Sequence, residues 1–277
     1  MKSQIAWKKH LLVCMLSVLG FLLISGTGNF VSAQANQQDV KTQTVDPALI
    51  WGNKRINDLN NQVKGRMEPN DPMLLPAQDG LYVNHQNVNA YLMCSSGSAM
   101  VFYSQGVVPV ALNDPSLKLI EAYTLLSRQA YIPPIVHNMI NYQPESRFAT
   151  WPKKEYKDLR IYYGPKEYVI YQGAWQIFIN RSAADHQDGQ ELSAKTLATQ
   201  VVLFLAQHNL PQTSSNGRID LSTTGNLGRE NYGSLKDFKM FAIWEDQQHS
   251  TMPNTQYDLN AKDPMTGLKM LTSLKEY

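Results

Sequence analysis

Residues 159–179 read LRIYYGPKEYVIYQGAWQIFI. Leu159, Ile161 and Tyr163 alternate with Arg160 and Tyr162, the period-2 pattern of a half-buried strand. Gly164-Pro165 turns the chain. Residues 168–171 form a second apolar run, Gln172-Gly173 turns again, and Trp175, Ile177 and Ile179 share one face of a third. Three short strands joined by tight turns predict an antiparallel meander.

Downstream, Ser193 can cap a helix in which Leu197, Val201, Phe204 and Leu205 recur at helical spacing, and Asn209 and Pro211 end it. Residues 218–222 and 238–244 read as two more strands. From Gln247 the chain reads as a polar tail, with a short helix over 265–274.

Upstream, residues 132–158 are irregular and proline-rich, which predicts a linker or crossover. Before them Asp114-Pro115 gives a helix-start signal, and Leu119, Tyr123, Leu126 and Ala130 make an apolar stripe. Residues 99–103 and 107–112 read as a hairpin turned by Ser104-Gln105-Gly106. Asp46-Pro47 starts another helix, with Leu49, Ile56, Leu59 and Val63 on one stripe and Gly65 at its end.

Strand runs and separate helices predict an α+β fold, with antiparallel hairpins and a meander packed on amphipathic helices. The halves 46–131 and 159–246 read as two small α+β units, with 247–277 as the tail.

The amino terminus sets the compartment. Lys2, Lys8 and Lys9 precede an apolar run over 11–24, and small residues follow to Val31-Ser32-Ala33. That order predicts a secretory signal peptide over residues 1–33. The run is shorter than the ~20 residues a spanning helix needs. Residues 34–45, rich in Gln, Asn and Thr, read as a disordered lead-in.

Removing 1–33 takes away three Lys and no acid, so the mature chain carries 22 basic and 23 acidic residues. That balance lacks the basic footprint nucleic acid requires, and no second apolar run is long enough for a membrane span. One cysteine, Cys94, remains, so no internal disulfide holds the mature chain.

Chemistry-bearing candidates are few. Cys94 could be a nucleophile if a neighbouring base lowered its pKa, and His85, His137, His186, His208 and His249 are the available histidines. None sits in a cysteine-protease signature, and Cys94 also reads as a buried small apolar residue before a strand. Ser95, Ser96 and Ser98 flank Gly97 without the Gly-x-Ser-x-Gly spacing of a nucleophile elbow, and read as a turn.

Asp185, His186, Asp188 and Glu191 are the densest set of metal-type ligands. They lack the alternation of an EF-hand, and read equally as a solvated loop before a helix. An Asp185–His186 pair is the other catalytic candidate. His208, in the last turn of its helix, is expected to bond the free carbonyls there. No cofactor fingerprint is present.

Aromatic residues give the one positive sign. Tyr156, Tyr162, Tyr163, Tyr168, Tyr171, Trp175 and Phe178 crowd into residues 156–178. Rings are favoured in strands, so one face of the meander accounts for about half of them. Tyr162 and Phe178 fall opposite the main alternations and are the ligand-binding candidates, toward a cell-wall glycan or a peptide.

Three stretches resemble uncharacterised exported proteins of lactic acid bacteria, a domain of unknown function: Ala48-Leu-Ile-Trp-Gly-Asn-Lys54; the runs Met100-Val-Phe-Tyr103 and Val107-Val-Pro-Val-Ala-Leu112; and Gly173-Ala-Trp-Gln-Ile177 with Leu197-Ala-Thr-Gln-Val-Val-Leu-Phe-Leu205. The resemblance implies export from a Gram-positive cell and carries over no catalytic residue. The expectation is a secreted or cell-surface, non-enzymatic binding module. An envelope hydrolase using Cys94 or the Asp185–His186 pair is the alternative.

Overall fold

The computed structural model describes residues 47–67, 73–77, 87–95, 98–129, 143–180, 190–213, 216–223, 238–246 and 255–277. The expected signal peptide, lead-in and 185–188 loop lie outside them. Residues 45–277 form one compact unit.

Helix α1 (Pro47–Lys64) and strand β1 (Leu74–Pro76) come first. Strands β2 (Asn87–Ser95), β3 (Ser98–Gly106) and β4 (Thr124–Gln129) follow. The meander begins with β5 (Lys153–Tyr156) and β6 (Leu159–Tyr163), then β7 (Glu167–Gln172) and β8 (Trp175–Asn180). Helix α2 (Gln190–Leu205) leads to β9 (Gly217–Ser222), β10 (Met240–Asp246) and β11 (Thr255–Ala261). Helix α3 (Pro264–Thr272) and β12 (Leu274–Glu276) end the order, with β12 paired to β1.

Ten strands form one sheet in the order β2-β3-β4-β11-β10-β9-β8-β7-β6-β5. Every pairing is antiparallel except β8–β9, which is parallel because α2 crosses between them. The α+β class therefore holds. Apart from β1, which pairs with β12, the strands of both expected units lie in this one sheet, and β11 joins them by pairing with β4 on one side and β10 on the other.

β11 comes from the stretch read as a polar tail, and that reading is corrected. Tyr257, Leu259 and Ala261 face the main core, whereas Gln256, Asp258 and Asn260 face the other way. All seven residues are buried. Tyr257, Leu259 and Ala261 alternating with Gln256, Asp258 and Asn260 is the period-2 strand pattern, and the tail reading passed over it.

The helix expected after Asp114-Pro115 is also corrected. The Asp114 carboxylate accepts from the Ser116 N–H at 2.9 Å, closing a local turn instead of capping a helix. A 3-10 turn at Leu119–Glu121 follows, and then β4. Leu126 faces the main core and Leu125 the opposite cluster, so a strand buried on both faces imitates a helical stripe.

The expected 99–112 hairpin is shifted. The 99–103 run is β3, but its partner is β2 upstream, and 107–112 forms no strand. Side chains hold that segment against β2. Asn89 Oδ1 accepts from the Val110 N–H at 2.9 Å, and its Nδ2 donates to the Val108 carbonyl. Asn113 does the same to Leu92, accepting from its N–H at 2.6 Å and donating to its carbonyl.

One face of the sheet carries the main core. Ile56, Leu59 and Val63 of α1 and Leu268 and Leu271 of α3 pack there, with Val201 and Leu205 of α2. The other face carries two smaller apolar clusters, one around Phe148, Tyr162 and Phe178, one around Phe102, Leu125 and Phe238. Between them lie buried polar residues, among them Ser127, Gln176, Gln256, Asp258 and Asn260. No helix among the described residues is long and apolar enough to cross a membrane.

Candidate functional site

α2 covers β7 and β8 but stops short of the last two strands. The uncovered wedge is a groove of about 310 Å³ between the helix flank and β5, β6 and β7. Its floor follows from strand parity. Lys154 opposes Ile161 and Tyr156 opposes Leu159, so Lys154 and Tyr156 stand on the same face as Ile161 and Tyr163. Tyr163 and Tyr168 oppose each other across β6–β7, with ring centroids 5.9 Å apart and planes at 89°. This edge-to-face contact orients the Tyr163 ring.

The helical wall follows from helix periodicity. Lys195, Thr199 and Leu203 recur every four residues beside the buried stripe of Ala194, Leu197, Val201 and Leu205. Leu203 is 52% exposed, Tyr156 40% and Tyr163 38%, a set of large apolar groups left open to solvent. Partial burial, with Tyr168 beside it, pushes the Tyr163 phenol pKa upward, so the ring stays neutral over the physiological range.

Two lysines, Lys154 and Lys195, border the groove, and no carboxylate lines it among the described residues. The groove therefore offers apolar ring faces under a positive potential.

Two polar contacts fix the helix above the strands. Buried Gln172 of β7 donates to the Leu205 carbonyl at 3.0 Å and accepts from the Leu210 N–H at 3.1 Å, tying the end of α2 to the sheet. Lys157, in the β5–β6 turn, donates to the Ala206 carbonyl at 2.6 Å.

Tyr162 and Phe178 do not face a ligand, and that expectation is corrected. Each is 4% exposed. The 3-10 turn Glu145–Phe148 and Trp151 cover them, with Phe148 and Tyr162 centroids 5.9 Å apart. Tyr162 donates to Glu145 Oε2 at 2.6 Å, and the Arg218 guanidinium sits 4.7 Å from the Phe178 ring centre. The signal for this cover was Phe148 and Trp151, two large apolar residues inside a stretch read as a linker. The open rings belong instead to Tyr156 and Tyr163, which the same aromatic crowding contained.

Cys94 lies within β2, near its end, and is exposed, which corrects its reading as a buried residue before a strand. Desolvation pushes its thiol pKa up and Arg66 pulls against that. The net direction is opposite to that of an activated nucleophile. Ser95 and Ser98 form the last pair of the β2–β3 ladder, in keeping with the expected turn.

His208 behaves as expected at a helix end. Its Nδ1–H donates to the Phe204 carbonyl at 2.9 Å, and its ring stacks on Phe204 at 4.2 Å. His85, His137, His186 and His249 lie outside the described residues, as do Asp185 and Asp188; Glu191 falls in the first turn of α2. Among the described residues, no three His, Cys, Asp or Glu side chains gather to hold a metal.

No family model, curated protein or solved structure matches the chain.

Proposed function

We propose that the chain is an exported binding module, acting at the cell surface or in the medium, and that the groove between α2 and β5–β7 seats its ligand. Export rests on the basic, apolar and small-residue order of residues 1–33. The binding role rests on one observation: Tyr156, Tyr163 and Leu203 stay open to solvent beside Lys154 and Lys195, in a concavity with no lining carboxylate among the described residues. Exposed rings and apolar groups gathered under one sign of charge are costly to leave in water and useful for recognition. The ligand class is an anionic molecule with an apolar body, drawn from cell-wall glycan or peptide.

The test is co-sedimentation of the mature chain, starting at Gln34, with purified cell-wall material. Replacing Tyr163→Ala together with Lys195→Glu removes one ring face and reverses one charge. Retention is expected to fall about tenfold with an unchanged melting temperature. Equal retention of parent and variant, or none by either, would sink the reading.

A further inference from the structure

We infer that the groove's ligand is an extended acidic peptide, added as an eleventh strand along β5. This rests on the groove as the ligand seat and adds how the ligand is held.

The two ends of the sheet are treated differently. At β2 the outer edge is occupied: the Asn89 amide bonds Val108 and Val110, the Asn113 amide bonds Leu92 of β2, and the Asn113 N–H donates to the Ala90 carbonyl. At β5 no described residue pairs with the outer edge. Tyr163 donates its N–H to the Pro152 carbonyl, which fixes the parity of the β5–β6 ladder. Lys154 and Tyr156 therefore direct their backbone groups toward β6, while Lys153 and Glu155 direct theirs outward. Those outward N–H and C=O groups meet no partner among the described residues, and all four β5 residues are exposed.

A bare edge commonly carries lysines only as protection against aggregation. Here the edge also borders the groove. A peptide strand paired with β5 places every second side chain on the groove face, about 5 Å from Lys154 or Tyr156. An acidic residue there meets Lys154, and Lys195 across the groove; an apolar one meets Tyr156 and Tyr163. Backbone bonds along the edge and side chains in a neighbouring groove are the two components of strand-addition recognition.

The test uses fluorescence anisotropy with the mature chain and a labelled peptide alternating Asp and Val. Glu155→Pro deletes the outward N–H without touching the β5–β6 ladder, because proline is tolerated where an edge strand's N–H faces solvent. Glu155→Thr keeps that N–H and serves as the control. Glu155→Pro is expected to weaken the peptide about tenfold at unchanged melting temperature, with Glu155→Thr binding like the parent. N-methylating alternate peptide residues should cost at least as much in one of the two phases.

Equal binding by the Pro and Thr variants, or indifference to N-methylation in both phases, overturns the strand. If Tyr163→Ala still weakens the peptide in that case, the groove reading survives and only the pairing fails. No binding of the peptide by the parent also overturns the inference and leaves the groove to its own cell-wall test.

Discussion

Single residues decide how closely the sheet packs. Gly217 lies opposite Trp175 in the parallel β8–β9 pair, and a Cβ there would come within 2.4 Å of the indole. Trp175 cannot retreat easily, because its ring already rests 5.8 Å from that of Trp244 and its Nε1–H donates to the Pro211 carbonyl at 2.7 Å. Gly217→Ala is therefore expected to cost about 2 kcal/mol through overpacking. A urea titration should show an earlier midpoint, and an unchanged midpoint would mean that the indole repacks without strain. Residue-scale logic also explains Asn89 and Asn113: each amide carries both a donor and an acceptor, so each supplies what a neighbouring strand would have supplied.

Among the elements, the Asp-Pro pair shows how one local signal has different outcomes. It occurs at 46–47, 71–72, 114–115 and 263–264, of which 71–72 lies outside the described residues. α1 begins at Pro47, and α3 begins at Pro264 with Asp263 as its cap, accepting from the Thr266 N–H at 2.7 Å. At 114–115 the carboxylate instead accepts from the Ser116 hydroxyl at 2.6 Å and from the Ser116 N–H at 2.9 Å, and those hydrogen bonds, the hydroxyl's first, hold the Asp114 pKa below its usual range. Asp263→Ala is expected to destabilise the protein by about 1 kcal/mol, the usual worth of an N-cap. The same substitution at Asp114 frees no helical N–H and should cost less. Chemical denaturation of the two variants checks this, and equal losses would contradict it.

At the scale of the molecule, β11 unites the sheet, and the main core runs under it from β2 to β6. Burial in that core carries a titration consequence. Tyr103 is fully buried, and desolvation pushes its phenol pKa far above the ordinary tyrosine value of about 10. Above that value the unfolded chain releases a proton that the folded chain keeps. The folded state then binds more protons, and stability falls as pH rises. Below about pH 10 the contribution is intact. Stability should drop by about 1 kcal/mol on this account between about pH 10 and pH 11. Tyr103→Phe should show a shallower loss over that interval in urea titrations; parallel curves would assign the alkaline instability to other groups.

Much of the local structure is determined by the chain itself. The meander 159–179 alternates with period 2 between glycine and proline turns, and β6, β7 and β8 stand where that pattern puts them. α1 follows from its apolar stripe and the Gly65 end, and α2 from its stripe, although it begins at Gln190, upstream of the expected Ser193 cap, and ends at Leu205. The aromatic crowding at 156–178 likewise contained the rings of the groove. Which of those rings stay open was decided by tertiary contacts: Phe148 and Trp151 cover Tyr162 and Phe178, and α2 stops before Tyr156 and Tyr163. The same holds for β4, whose doubly apolar pattern does not identify a strand, because the environment on each face of a sheet exists only after distant segments have paired. β11 carries a legible period-2 alternation, and what the assembled sheet decided is that its polar face is buried as well. Local periodicity is written in the chain, whereas burial on both sides of a central strand is a property of the assembled sheet.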